Sequence, residues 1–137
     1  MQSPAMTYYD ILDGAIAAVC EDVAASHLTE DYVTRGQFIL AGFVAKYASL
    51  DAAWREMHGM EAKTVNTNLA SVNPRDEFPF CDVFAPVAVN YLASGLVIDE
   101  NEEMSDKFFD RYITGIMDIR NALPAKQAPI VDRYGLD

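Results

Sequence analysis

The sequence predicts an all-α protein: a bundle of four to five helices with an inserted extended loop or short β-hairpin and an extended C-terminal arm. Apolar residues recur at helical spacing in four segments, whereas one segment, residues 61–75, lacks that period. The chain has 137 residues and is 51% hydrophobic, which suffices for a full core without disulfides or metal. We therefore expect one helical domain, residues 1–124, followed by an arm, residues 125–137.

The first helix is predicted from about Tyr8 to Ala25. Thr7 is its expected N-cap, and Asp10 stands at the third helical position, where an acid completes a capping box. The apolar positions fall on one side of this helix, and the acidic ones fall outside it. The apolar residues of this side are Leu12, Ala15, Ile16, Val19 and Val23.

The second helix is predicted to start at Thr29 as N-cap and to run to about Ala48. Ser49 or Asp51 then caps a separate helix, or the second helix continues unbroken. In either case Gly59 ends the helix that reaches it. Apolar residues recur on it at helical spacing: Phe38, Ala41, Val44 and Ala45, with Ile39, Phe43 and Tyr47 alongside. Gly36 and Gly42 indicate close packing against a neighbouring helix.

The segment from Glu61 to Arg75 has the weakest helical character in the chain. It is rich in Thr, Asn, Ser and Val, and Asn73 followed by Pro74 indicates a turn. We predict an extended loop, or a small hairpin in which residues 64–67 pair as a strand. Loops of this length in compact domains are often functional, so we predict a partner interface here; the alternative is a solvated connector. The predicted contact residues are Thr64, Val65 and Leu69.

The third and fourth helices lie between Phe78 and Ala122. The third is apolar nearly all round and is expected to be covered on most of its circumference, with Asp82 as its cap and Pro86 in its first turn. Asn101 is expected to cap the fourth helix, which ends before Pro124. Its predicted buried stripe is Met104, Phe108, Tyr112, Ile116 and Ile119.

The last 13 residues, 125–137, have neither helical nor strand period, yet they are rich in apolar side chains. A tail without a fold of its own is usually poorer in such residues. We predict that this arm docks into a groove on a partner; the alternative is that it folds back on its own bundle. The predicted contact residues are Ile130, Val131, Tyr134 and Leu136.

The charge is strongly acidic: 21 Asp and Glu against 10 Lys and Arg, a formal net charge of −11. A phosphate-binding face needs clustered Lys and Arg, whereas the basic residues here are scattered singly. Independent binding to nucleic acid is therefore not expected. The acidic residues either keep the protein soluble or line a surface that lies near DNA without holding it.

Residues that carry chemistry are few, and we predict no enzyme, no cofactor and no metal. Neither His27 nor His58 has a second histidine four residues on, so the zinc-protease motif is absent. Cys20 and Cys81 stand in apolar surroundings and are expected to be buried free thiols. No signal peptide is expected at residues 1–8, and no apolar run approaches the length of a membrane span.

The layout from Phe78 to Ile119 resembles the head-to-tail adaptor (connector) proteins of tailed bacteriophages. The matching features are the segment FAPVAVNYLASGLVIDENEE and the aromatic residues after it. The residues that fit the pattern are Phe84, Tyr91, Leu92, Ala93, Asp99, Glu100, Phe108, Phe109 and Tyr112.

The resemblance implies a structural virion protein without catalytic residues, made in the host cytoplasm and located in the neck of the virion. It implies a ring, commonly of twelve copies, seated below the portal protein and contacting neck or tail proteins. DNA would pass through the ring without specific binding. Two alternatives remain: a small acidic regulator that mimics DNA and occupies a basic groove on another protein, or a ligand-binding or enzymatic bundle with convergent polar groups.

Overall fold

The computed structural model describes residues 5–19 and 26–124, without the side chains of residues 26–29. Four α-helices make up most of these ranges: α1 (Tyr8–Val19), α2 (Ser26–Met57), α3 (Ala85–Val97) and α4 (Glu102–Ala122). A short 3₁₀ turn, Asp82–Phe84, precedes α3. In the described ranges the backbone forms no strand, only an isolated bridge between Thr7 and Glu77. The predicted all-α bundle is therefore confirmed.

The central helix is α3, which packs against α1, α2 and α4. Leu92, Ala93 and Leu96 on it are 0% exposed. The hydroxyl of Ser105 on α4 donates to the backbone carbonyl of Ser94, at 2.9 Å, so the close α3–α4 contact keeps its buried polar groups paired. The prediction that the third helix is covered on most sides is confirmed.

Helices α2 and α4 run in the same direction. Near the start of α2, the Tyr32 hydroxyl donates to Glu100 in the turn before α4, at 2.7 Å. At the other end, Leu50 of α2 and Leu123, which follows α4, line one groove. Both helices therefore begin at one end of the bundle and finish at the other, while α3 runs antiparallel to them.

Three helix ends follow the local sequence. The Thr7 hydroxyl accepts from the backbone N–H of Asp10 at 3.4 Å, and the Asp10 carboxylate accepts from the N–H of Thr7 at 2.9 Å, which is the predicted capping box. Gly59 has a φ of 67°, and the N–H of Met60 donates to the Arg55 carbonyl at 2.8 Å, as in a Schellman motif. Asn101 caps α4 by accepting from the N–H of Met104 at 3.0 Å.

Two other predicted caps are wrong. Thr29 lies inside α2, because that helix begins three residues earlier and then continues unbroken through Asp51. Asp82 makes no side-chain cap and starts the 3₁₀ turn; the N-cap of α3 is Phe84, with Pro86 in the first turn as predicted. The predicted end of the first helix lies outside the described residues.

Residues 60–81 form the long connection between α2 and α3. They are irregular, so the hairpin alternative and the strand at residues 64–67 are wrong, and the extended loop is confirmed. The loop satisfies its backbone against the bundle: the N–H of Val72 donates to the Gln37 carbonyl at 3.1 Å. Carbonyls of Asp76 and Pro74 accept from the first N–H groups of α1, which have no partners within the helix.

The two glycines of α2 differ in their surroundings. A Cβ on Gly36 would lie 2.4 Å from Leu12 Cδ2 and 3.3 Å from Leu92 Cδ1, so this glycine allows α1 and α3 to approach α2. A Cβ on Gly42 would meet no atom within 4 Å. The predicted close packing is thus found at Gly36 and not at Gly42.

A continuous series of aromatic contacts joins the loop to three helices. Phe43 on α2 has ring centroids at 4.9 Å from Tyr47, 5.3 Å from Tyr91 and 6.0 Å from Phe80. The buried hydroxyls of Tyr47 and Tyr112 are hydrogen-bonded to each other. Such aromatic pairs add to the free energy gained by burial alone.

Alkaline pH should destabilise this core. Burial, with the hydrogen bond to Tyr112, raises the pKa of Tyr47 above its usual range, and burial with the nearby Asp76 charge raises the pKa of Tyr8 to about 12. Tyrosines in the unfolded chain lose their protons near pH 10. Below pH 10 these two tyrosines should therefore contribute their full share to the free energy of unfolding. Above pH 10 the free energy of unfolding should fall by about 1.4 kcal/mol per pH unit for each of them.

Urea unfolding followed by circular dichroism from pH 8 to pH 11.5 measures this decline. Tyr47→Phe removes one of the two titrating groups, so its unfolding free energy should fall about half as steeply with pH. An unfolding free energy that stays level above pH 10 would contradict the predicted shifts.

Candidate assembly surfaces

The outer face of α2 is an exposed stripe of uncharged residues. Their spacing of four, three, four and three residues keeps them on one side of the helix, as in the contact seam of a coiled coil. Phe38 at one end is 57% exposed, and the open space around Gly42 leaves room for close approach. The outer face comprises Phe38, Gly42, Ala45, Ser49 and Ala52. Within the described part of the chain these residues are exposed and no helix covers them, so this side of α2 is accessible to a helix of another molecule.

The acidic pole is the end of the bundle where α2 and α4 begin. Glu102 and Glu103 lie in the first turn of α4, where the helix dipole favours negative charge. Asp31 forms a 3.6 Å ion pair with Arg35, while the Tyr32–Glu100 hydrogen bond brings the two helix starts together. The acidic pole comprises the exposed residues Glu30, Asp31, Asp99, Glu100, Glu102 and Glu103. A strong local negative potential follows.

The α2–α4 groove lies at the opposite end and has a volume of about 540 Å³. Its walls are mainly apolar, with Glu56 and Arg120 as its charged residues. The apolar residues are Leu50, Ala53 and Met57 from α2, with Leu123 and Pro124 beyond the end of α4. This opening is larger than a single side chain needs, and it accommodates an extended peptide or an apolar helix edge.

The apolar flank of α4 continues this groove along the helix. Phe109, Ile113 and Met117 are 47%, 37% and 54% exposed, although large apolar side chains usually avoid water. Arg120 follows Ile113 by seven residues, or two helical turns, so the flank and the groove lie on the same side of α4. Groove and flank therefore bring several exposed apolar side chains to one side of the bundle, whereas exposed apolar residues on proteins are commonly scattered singly.

A buried polar cluster attaches the long loop to α2. Asp51 is 1% exposed; its Oδ1 accepts from the N–H of Cys81 and its Oδ2 from Arg55 Nε, both at 2.9 Å. Arg55 Nη2 also donates to the Pro79 carbonyl at 3.1 Å. The end of the loop is therefore fixed to α2. Burial, with Asp51 nearby, raises the pKa of the Cys81 thiol, so the thiolate is disfavoured.

The predicted interface residues of the loop are not equivalent. Thr64 is exposed and Leu69 is 40% exposed, so both are accessible to a partner. Val65 is half-buried against the core and contributes to the subunit's own packing. The predicted contact residues of the arm, Ile130, Val131, Tyr134 and Leu136, lie outside the described residues.

Sequence reasoning missed the α2–α4 groove and the flank. Phe109 lies four residues before Ile113 and eight before Met117, and this spacing marks a second apolar side of α4. Counting the apolar residues on both sides of α4 would have revealed the flank. The groove could not be found in this way, because it forms only when the fold brings α2 and α4 together.

A smaller cavity of about 260 Å³ lies where α4 crosses the start of α3. Asn90, Arg111 and Asp118 contribute its polar groups. The Asn90 side-chain amide already donates to the Pro86 carbonyl at 3.1 Å, and Arg111 and Asp118 are solvent-exposed. The polar groups are therefore not gathered in a closed site.

Metal-binding groups do not cluster in the described residues: no three His, Cys, Asp or Glu side chains are placed to share an ion. His58, just beyond α2, donates from Nδ1 to the Trp54 carbonyl at 2.9 Å and stacks on the Trp54 ring at 4.3 Å, so its contacts are with a residue four positions earlier in the chain. None of the described helices has both the length and the apolar character of a membrane span. Comparison with protein-family models, curated proteins and solved structures gave no match.

Proposed function

We propose that this protein is a structural subunit of a phage head-to-tail adaptor, a ring below the portal that continues the DNA channel. The observation that carries the proposal is the outer face of α2, a long uncharged stripe on a chain whose net charge is −11. A surface so depleted in charge is typical of the core of a protein–protein interface. The natural occupant in a ring is the neighbouring copy.

The acidic pole supports the same function through symmetry. All copies of a cyclic ring are related by rotation about one axis, so every acidic pole lies at the same height. Such a ring would carry a belt of carboxylates. Like charge prevents duplex DNA from adhering as it moves past, because DNA carries one negative charge per about 1.7 Å of its axis.

The ring is tested with the full-length chain alone and mixed with the portal ring encoded by the same genome. Mass photometry should show an assembly of about twelve chains of 15.2 kDa, free or added to the portal. Ala45→Glu places a charge in the middle of the outer face and should abolish assembly, because a buried unpaired charge is costly. Ala17→Glu, the same substitution on the exposed side of α1, is the matched control and should assemble normally.

The channel role has a separate readout. The wild-type ring should not shift duplex DNA at physiological salt, whereas Asp99→Lys combined with Glu103→Lys should assemble and retain DNA. Single-copy masses in every sample would contradict the ring. Assembled rings whose DNA retention does not respond to the charge reversal would contradict a channel lined by the acidic pole.

The acidic pole also favours one second candidate, an inhibitor that mimics DNA. Six carboxylates concentrated at one end of the bundle present a compact negative surface to a basic groove on another protein. In that case the chain should form a one-to-one complex with a DNA-binding protein. Asp99→Lys with Glu103→Lys should break the complex, and Ala45→Glu should leave it unchanged.

A further inference from the structure

The described chain ends inside the α2–α4 groove. Leu123 and Pro124, its last two residues, belong to the groove's own lining. The residues that follow, 125–137, therefore start at an apolar groove with a volume of about 540 Å³ that nothing in the described part of the chain fills. Met57, on the facing wall, remains 45% exposed.

We propose that residues 125–137 of the same chain turn back and cover the α2–α4 groove and the apolar flank in the isolated subunit. This inference depends on the groove and on where the chain leaves it, and it does not depend on the adaptor role. It concerns a binding site for the arm that Leu50, Met57 and Leu123 line and that Phe109 and Ile113 continue along α4.

The length of the arm matches the surface. Phe109 on α4 and Leu123 just beyond its end are 14 residues apart, a distance of about 21 Å at the rise of an α-helix. An extended chain covers about 3.3 Å per residue, so residues 125–130 alone span about 20 Å. The remaining residues, 131–137, allow for the reversal of direction that the return requires.

The chemistry of the arm matches as well. In an extended segment alternate residues share a side, so Ile130, Tyr134 and Leu136 fall together and would meet one apolar surface. Pro129 favours extended backbone at the residue before it. Asp132 falls on the same side and provides a charge opposite to that of Arg120, one of the charged residues of the groove.

The covalent connection between the arm and its own groove, the tether, favours binding within one chain over binding to a second copy. A segment attached at the edge of its own site has an effective concentration in the millimolar range. A second copy at micromolar concentration competes at a disadvantage of roughly a thousandfold for identical contacts. The gain from burying a few apolar side chains is comparable to the entropy lost on ordering the arm, so the tether's contribution is decisive.

The test measures whether the arm protects the groove. A Met57→Cys thiol is alkylated with iodoacetamide and quantified by peptide mass spectrometry, in the full-length chain and in a chain ending at Pro124. If the arm leaves the groove uncovered about 10% of the time, alkylation of the Met57→Cys thiol is slowed about tenfold. Truncation of the arm should therefore raise the alkylation rate by about that factor. Ile98→Cys, 55% exposed at the acidic pole, is the matched control and should react equally in both chains.

Concentration separates the possible occupants. Protection by the same chain should persist over a hundredfold dilution, whereas protection that disappears on dilution would assign the groove to a second copy and overturn the proposal. Equal Met57→Cys rates with and without the arm would also overturn it. Tyr134→Asp in the full-length chain should raise the rate as truncation does, which keeps the test decisive if the shortened chain does not fold.

Discussion

Asp51→Ala should lower the free energy of unfolding by about 3 kcal/mol, because it breaks a buried ion pair and removes a buried acceptor at once. The Asp51 side chain accepts from Arg55 Nε and from the N–H of Cys81, both at 2.9 Å, and it is 1% exposed. Alanine leaves both donors without that partner, and water cannot easily replace it. Denaturant unfolding followed by circular dichroism measures the loss.

Asp82→Ala is the matched control. It removes the same charge one residue from Cys81, but Asp82 is exposed and makes no side-chain cap, so its effect should remain within about 0.5 kcal/mol. Asp51→Asn keeps an oxygen for the Cys81 N–H and should lie between the two. Equal losses for Asp51→Ala and Asp82→Ala would mean that the cluster does not hold the loop to α2.

Phe43→Ala should cost about 3–5 kcal/mol, the usual range for deleting a fully buried aromatic ring. Phe43 is 0% exposed and lies among the rings of Tyr47, Tyr91 and Phe80, so its loss opens a cavity between α2, α3 and the loop. These neighbours are themselves held by other contacts, which limits how far they can close the gap. Thermal and urea unfolding both report the change.

Phe38→Ala makes the same substitution on the same helix. Phe38 is 57% exposed, so the stability of the monomer should change by no more than about 0.5 kcal/mol. Under the proposed function it should instead weaken assembly, because Phe38 is the one large side chain of the outer face of α2. A stability loss for Phe38→Ala as large as that for Phe43→Ala would show that this face is packed.

Local features were predictable because their partners are close in sequence. The capping box needs Thr7 and Asp10 only, three residues apart, and its hydrogen bonds are those predicted. Gly59 takes the left-handed conformation that ends a helix, and Asn101 caps α4. The wrong start of α2 shows the limit: Thr29 is a good cap, but a helix that begins earlier simply contains it.

The sequence by itself determined the fold class, the helix ends that depend on caps, and the apolar character of α3, because these follow from periodicity and from contacts within a few residues. Only the tertiary structure decided that Phe43 is buried and Phe38 exposed, although both occupy helical apolar positions. It also decided that Asp51 binds the Cys81 N–H, 30 residues away. Which side of α2 meets α3, and which of its carboxylates meets the loop, depends on how the helices pack, and no local pattern specifies that.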